Sequence, residues 1–222
     1  DVRRTFPHLH FFNENEGESE GRKCLRQILF IYAKLNPGIN YVQGMNEILG
    51  PIYYLFAIDQ NKECAENAEA DAFFCFTNLM SEIMDVFCKT LDTSSMGIHN
   101  RMKQYHALLK IVDRELWNNL QEKQLSAEFY SFRWLTLLLS QEFELPDVMR
   151  LWDTLFSDPN RFDFVLYLCC AMAIHIRGDL LKNDFAESLK LLQDYPKSAD
   201  ANELIKTAKN LQKRHPHVPS YF

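Results

Sequence analysis

Arg22-Lys23-Cys24-Leu25-Arg26-Gln27-Ile28-Leu29-Phe30-Ile31-Tyr32-Ala33-Lys34-Leu35, closed at once by Asn36-Pro37-Gly38, sets the fold class of this chain. Leu25, Ile28, Leu29, Tyr32 and Leu35 recur at three- and four-residue intervals, which lays them along one stripe of a helix. Pro37 disfavours helical geometry at Asn36, and Gly38 tolerates the turn, so the helix stops there. Periodic apolar runs ended by a breaker recur along the rest of the chain.

Outward from that helix, the spacing predicts a second one over residues 45–56, kinked where Pro51 removes a backbone donor. Residues 57–70 are polar and acidic and are expected to form a surface loop. A helix from Asp71 would present Phe73, Phe74, Met80, Ile83, Met84 and Phe87 as a broad apolar face. Further helices are expected over residues 97–113, 114–124, 127–141, 146–156, 162–177, 184–193 and 199–214, with Pro146 in a first turn and Gly178 as a stop signal. Residues 129–143 and 162–176 are apolar nearly all round and belong at the centre. No strand alternation and no repeat of 20 to 50 residues is visible, so the expectation is all-α without a sheet or solenoid.

Composition agrees. The 222 residues are 47% hydrophobic, with seventeen Phe, nine Tyr and three Trp, enough for thick packing layers. Only seven Gly and eight Pro interrupt them, which favours helices over many short strands joined by turns. The chain reads as one domain over 1–222, with lobes near 1–113 and 114–222. It starts inside a motif without an initiator Met, so an upstream part of the domain is expected to be missing.

The net charge of −6 and the lack of a Lys/Arg run argue against a nucleic-acid binder and against unaided adhesion to anionic lipid. Six cysteines (Cys24, Cys64, Cys75, Cys88, Cys169, Cys170) include no C-x-x-C pair and read as buried free thiols in a reducing cytosol. No signal peptide opens the chain, and its apolar runs fall short of the ~20 residues that span a bilayer. The expected location is therefore cytoplasmic, with no membrane insertion. His8, His10, His215 and His217 have no Cys or carboxylate at ligand spacing, so no metal is expected. Cys75 and Cys88 lack an identifiable base and are not expected to be nucleophiles. Neither G-x-x-x-x-G-K-[ST] nor G-x-G-x-x-G occurs, so any nucleotide involved must arrive on a partner.

Two short strings carry chemistry. Asp1-Val2-Arg3-Arg4-Thr5-Phe6-Pro7 supplies an arginine, and Tyr41-Val42-Gln43-Gly44-Met45-Asn46 supplies a glutamine, each on a turn ahead of a helix. A guanidinium offers a planar fork of donors that fits phosphate oxygens, and Asp1, three residues before Arg4, can hold it. A glutamine is too weak a base to take a proton, so beside a phosphate its useful role is to orient water. Gly44 gives the turn backbone freedom, and Asn46 can cap the helix start.

Taken together, these strings resemble the TBC-domain family of Rab GTPase-activating proteins, whose motifs read approximately D-x-x-R-T-x-P and Y-x-Q-G-M-N. Asp1, Arg4, Thr5 and Pro7 match the first; Tyr41, Gln43, Gly44, Met45 and Asn46 match the second. A third block is similar at Ser131-Phe132-Arg133-Trp134, Glu142-Phe143 and Arg150-Leu151-Trp152-Asp153-Thr154-Leu155-Phe156, and reads as structural. The family's Trp-containing helix near the domain start has no counterpart. The resemblance implies a V-shaped, two-lobed helical domain that receives a GTP-bound Rab in its groove and serves membrane trafficking. It implies Arg4 as an arginine finger and Gln43 as a glutamine finger, supported by Asp1, Thr5, Tyr41, Gly44 and Asn46. The domain would have no cofactor of its own, GTP and Mg being carried by the partner GTPase. It would activate that GTPase rather than be an enzyme itself, and would reach membranes peripherally through it. The alternatives are a non-catalytic Rab-binding or scaffold domain, and a stand-alone hydrolase that would act without a partner.

Overall fold

Ser19 starts the first helix. Its hydroxyl accepts from the Arg22 N–H at 3.3 Å and donates to the Phe12 carbonyl at 3.0 Å, so the helix entry is capped and tied to the preceding segment. In this computed structural model, which describes residues 1–12, 19–87 and 97–216, that helix is α1, Glu20–Leu35. Leu25, Ile28, Leu29 and Tyr32 are buried as the stripe requires, whereas Leu35, in the last turn, is exposed. Helix α2, Met45–Ala57, runs through Pro51 and packs against α1 and against α4, Ala68–Phe87.

Between them the expected loop contains a short helix, α3, Lys62–Glu66. The Asn61 side chain accepts from the Glu63 N–H at 3.1 Å, and that cap offsets the polar composition of the segment. The buried face of α4 is Ala68, Ala72, Phe76, Leu79, Met80, Ile83 and Phe87. Phe74 and Met84, expected to be inside, lie outside at 65% and 36% exposure. Apolar residues lie on more than one side of this helix, so its sequence does not single out one face, and the small Ala68 and Ala72 are among the residues buried.

The second group of helices is α5 Ile98–Val112, α6 Arg114–Glu122, α7 Ser131–Thr136, α8 Leu145–Ser157, α9 Arg161–His175, α10 Arg177–Lys182, α11 Phe185–Gln193 and α12 Ala201–Arg214. Among the described residues there is no strand; the fold is all-α. α9 is buried continuously from Phe164 to Ala173 and packs against α5, α7, α8 and α12. Each large apolar side chain buried there contributes about 1.5–3 kcal/mol. Asp113 ends α5 and caps α6, accepting from the Leu116 N–H at 2.9 Å, while its other oxygen accepts from Arg177 Nε at 2.6 Å. α11 opens with a capping box between Asp184 and Glu187.

Two expectations change in this group. Residues 127–141 are not one helix: a 3-10 turn over Ala127–Phe129 precedes α7, and the chain then turns through Leu138 and Leu139 at φ 48° and 65°. The left-handed region is unfavourable for leucine, at about 1–3 kcal/mol each. Burial of both side chains and a 2.8 Å hydrogen bond from Trp152 Nε1 to the Leu138 carbonyl offset it. Second, α9 ends at His175 and α10 follows directly, so Gly178 lies within a helix and is not the stop. The buried side chain of Ile176 sits at the joint.

The chain divides into two compact units, Asp1–Cys88 and Lys89–Phe222, rather than at 113/114. α5 goes with the second because α6, α7 and α9 cover its apolar face. Trp134 lies fully buried there, with Tyr130, Tyr195 and Tyr105 ring centroids at 5.0, 6.0 and 6.5 Å. Cys169 and Cys170 are buried, and burial pushes both thiols up, which leaves them inert. Cys24 and Cys64 are half-buried and Cys75 is exposed, so only two of the five described cysteines meet the expectation of a core position; Cys88 and His217 lie outside the described residues.

Candidate functional site

The first string folds as a 3-10 turn over Val2–Arg4. The Arg4 N–H donates to the Asp1 carbonyl at 2.7 Å, and Arg4 Nη2 donates to Asp1 Oδ1 at 2.8 Å. Backbone and side chain are thus held by the same residue, while the Arg4 side chain stays 75% exposed. Phe6 anchors the turn from below. Its φ of 40° is unfavourable for a ring-bearing residue, and burial of the ring, stacked on Phe12 at 6.2 Å, offsets the cost.

Gly50 makes that seat possible. A Cβ built on it would lie 2.9 and 3.0 Å from the Phe6 ring and 3.1 Å from Thr5 Cγ2. The turn therefore rests directly on the backbone of α2.

The second string enters the same place from the other side. Gly44, at φ 105°, reverses the backbone just ahead of α2, a conformation open to glycine and poor for other residues. The Tyr41 hydroxyl lies 2.7 Å from Asp1 Oδ2 and 3.0 Å from Asn46 Oδ1. Its single proton favours the carboxylate, the nearer and stronger acceptor. Partial burial first, and then the negative charge of Glu47, push the phenol up to about 12 against an opposing effect of Arg4, so it is a neutral donor at ordinary pH.

Asn46 closes the cluster. Its Oδ1 accepts from the Gly44 N–H at 3.3 Å, and its Nδ2 donates to Thr5 Oγ1 at 2.9 Å and to Glu47 Oε1 at 2.7 Å. Thr5, Asn46 and Glu47 are all buried.

Asp1, Arg4, Thr5, Tyr41, Gly44 and Asn46 are therefore one cluster of polar contacts, although some forty residues separate its halves in sequence. Gln43 lies in the same loop, between Tyr41 and Gly44, with its side chain exposed. The arrangement buries Thr5, Gly44 and Asn46, leaves Asp1 and Tyr41 at the rim, and leaves the Arg4 and Gln43 side chains exposed. Three contributors were not legible as such: Phe6, Glu47 and Gly50. The only signal for Gly50 is a glycine inside an apolar helical run, which marks a close backbone approach. Among the described residues no group of three or more His, Cys, Asp or Glu could hold a metal ion.

The family model described as "Rab-GTPase-TBC domain" matches residues 1–181. The chain belongs to that family. This TBC domain is 60% identical over 190 residues to TBC1 domain family member 13 of Mus musculus and 59% identical to its Homo sapiens counterpart; each alignment covers 86% of the chain and 47% of the relative. The chain thus spans about half the length of the curated relatives it matches. Among solved structures, the Ypt/Rab-GAP domain of Gyp1p superposes with a TM-score of 0.83 at 26% identity, over 96% of this chain and 70% of that one. The Chlamydomonas flagellar RabGAP TBC domain superposes at 0.72 and 21% identity, over 95% of this chain and 66% of that one, a likeness of fold. No helix among the described residues of this TBC domain is long and apolar enough to cross a membrane.

Proposed function

We propose that this TBC domain activates Rab-type small GTPases by lending two side chains to the GTPase's own nucleotide. Arg4 enters the partner's phosphate region and neutralises charge spreading over the transferring oxygens. Gln43 aligns the attacking water. GTP and Mg come with the partner, so the domain turns over nothing by itself, and any membrane it visits is reached through the Rab.

One observation carries this reading. The chain of contacts Arg4–Asp1–Tyr41–Asn46–Thr5 draws both segments into a single polar cluster, with donor–acceptor or polar-atom separations of 2.7 to 3.0 Å. A domain that only bound a GTPase would need neither an exposed guanidinium braced by a carboxylate nor a glutamine on a loop fastened to the same carboxylate. An arginine finger supplied in trans is worth ~10³–10⁵ in rate, or about 4–7 kcal/mol of barrier.

The test is single-turnover GTP hydrolysis across a Rab panel. Wild-type protein should accelerate at least one member. Gln43→Ala should reduce that acceleration even though the Rab keeps its own glutamine. A Rab whose glutamine is changed to Leu should still respond. Loss of all response in that Rab would defeat the role given to Gln43, and binding without acceleration by any Rab would leave a non-catalytic domain as the answer.

A further inference from the structure

Glu47 stands at the start of α2, where an acidic residue ordinarily sits in solvent and gains a little from the helix dipole. Here it is only 7% exposed, with one carboxylate oxygen 2.7 Å from Asn46 Nδ2. Burial of a charge needs a reason, and Asn46 supplies one. A carboxamide has two ends of similar shape and opposite polarity, so something must decide which end faces which neighbour.

Four neighbours surround it. Two are hydroxyls: Thr5 Oγ1, at 2.9 Å, can donate or accept and does not read the polarity, while Tyr41 Oη, at 3.0 Å with its proton turned to Asp1, would by itself favour the amide nitrogen. The other two favour the observed orientation. The Gly44 N–H only donates, at 3.3 Å, and the Glu47 carboxylate only accepts, at 2.7 Å and with charge assistance. Reversing the amide would bring oxygen against the carboxylate and nitrogen against the Gly44 donor. It would also give Tyr41 a donor in place of an acceptor, which that hydroxyl could use while still donating to Asp1. Without Glu47, only the longer Gly44 contact resists the reversal.

We propose that Glu47 is a positioning residue that fixes the orientation of the Asn46 carboxamide, and through it the Gly44 backbone and the loop that carries Gln43. This rests on the reading of the cluster as the activating site. Glu47 touches neither nucleotide nor water; it acts through Asn46.

Glu47→Met removes the acceptor at similar length, and Glu47→Gln keeps one that can still turn its carbonyl toward Asn46. With a Rab that wild-type protein stimulates, Glu47→Met should lower kcat on the order of ten- to a hundred-fold, as sub-ångström to ångström misplacement does, while KM moves much less. Glu47→Gln should fall between. Independently of any GTPase, hydrogen exchange at the Gly44 amide, followed by NMR, should quicken in the same order. A folded Glu47→Met variant with wild-type kcat, or with wild-type exchange at Gly44, overturns the proposal. Should that variant not fold, Glu47→Gln decides by the same two readouts. Should wild-type protein stimulate no Rab at all, the activating-site reading fails, and the exchange rates alone judge Glu47.

Discussion

Arg4 and Arg133 are each held by a carboxylate of their own unit, and they do opposite things. Arg4 gives Asp1 a single 2.8 Å contact and stays 75% exposed. Arg133 spends its fork internally: Nε and Nη2 reach the two oxygens of Glu142 at 2.6 and 2.8 Å, and Nη2 also donates to the Gln193 carbonyl at the end of α11. Glu142 is 1% exposed; burial pushes its carboxyl up, and Arg133 opposes that. Gln193 completes the latch by donating from Nε2 to the Phe129 carbonyl at 2.8 Å. The lesson is that an arginine becomes available to a partner when its counter-ion steadies it without filling it. One guanidinium is presented, the other consumed by the fold.

Equal substitutions should therefore give unequal readouts. The largest effect is expected for Arg4→Lys, which keeps the charge and loses the planar fork. Stimulated GTP hydrolysis should fall by ~10³–10⁵, nearly as far as with Arg4→Ala. Because the Asp1 pair is exposed, stability should stay within about 0.5 kcal/mol, checked by urea unfolding. A lysine variant with undiminished activity would remove Arg4 from the mechanism.

Next comes the seat of the presented arginine. Gly50→Ala places a methyl where the Phe6 ring and Thr5 now lie. Alanine favours the helix by about 1 kcal/mol, which works against the overlap cost of about 1–3 kcal/mol. Stability should move little, while kcat falls on the order of ten- to a hundred-fold because the turn is displaced. A variant with lower stability and full kcat would show that the turn's seat does not matter to Arg4.

The smallest effect, and the reverse of the first, is expected for Arg133→Lys. One ammonium cannot satisfy both Glu142 oxygens and the Gln193 carbonyl. The unit Lys89–Phe222 should lose about 1–3 kcal/mol, measured in urea, with stimulated hydrolysis unchanged while it remains folded. Lost activity at full stability would mean that the two arginines are not divided as described.

How far this division could be read from sequence depends on the kind of information each part uses. Asp1, Arg4, Thr5, Tyr41, Gly44 and Asn46 are polar residues at motif spacing, and the structure joins them. Phe6 and Gly50 were not legible, because their contribution is a distance of closest approach, which leaves no composition signal beyond one glycine. Glu47 reads as an ordinary first-turn acid; only its burial beside Asn46 gives it a task. In the second unit, residues 162–176 and 127–141 both read as single helices. The first forms α9 with little change, because covering it on all sides suits a straight helix. The second breaks, because Leu138 and Leu139 take their backbone conformation from Trp152 and from burial, neither of which is local. The short helix α3 was hidden for a different reason: one Asn61 side chain outweighs the polar residues around it.

The placement of the three tryptophans has a practical consequence. Trp117, Trp134 and Trp152 all belong to Lys89–Phe222, and Trp134 stands among tyrosines that can pass it their excitation. Emission on selective excitation of indole therefore watches one half of the chain and is blind to the half that carries Arg4 and Gln43. A melt followed by that emission alone would report on the tryptophan-bearing half and not directly on the other.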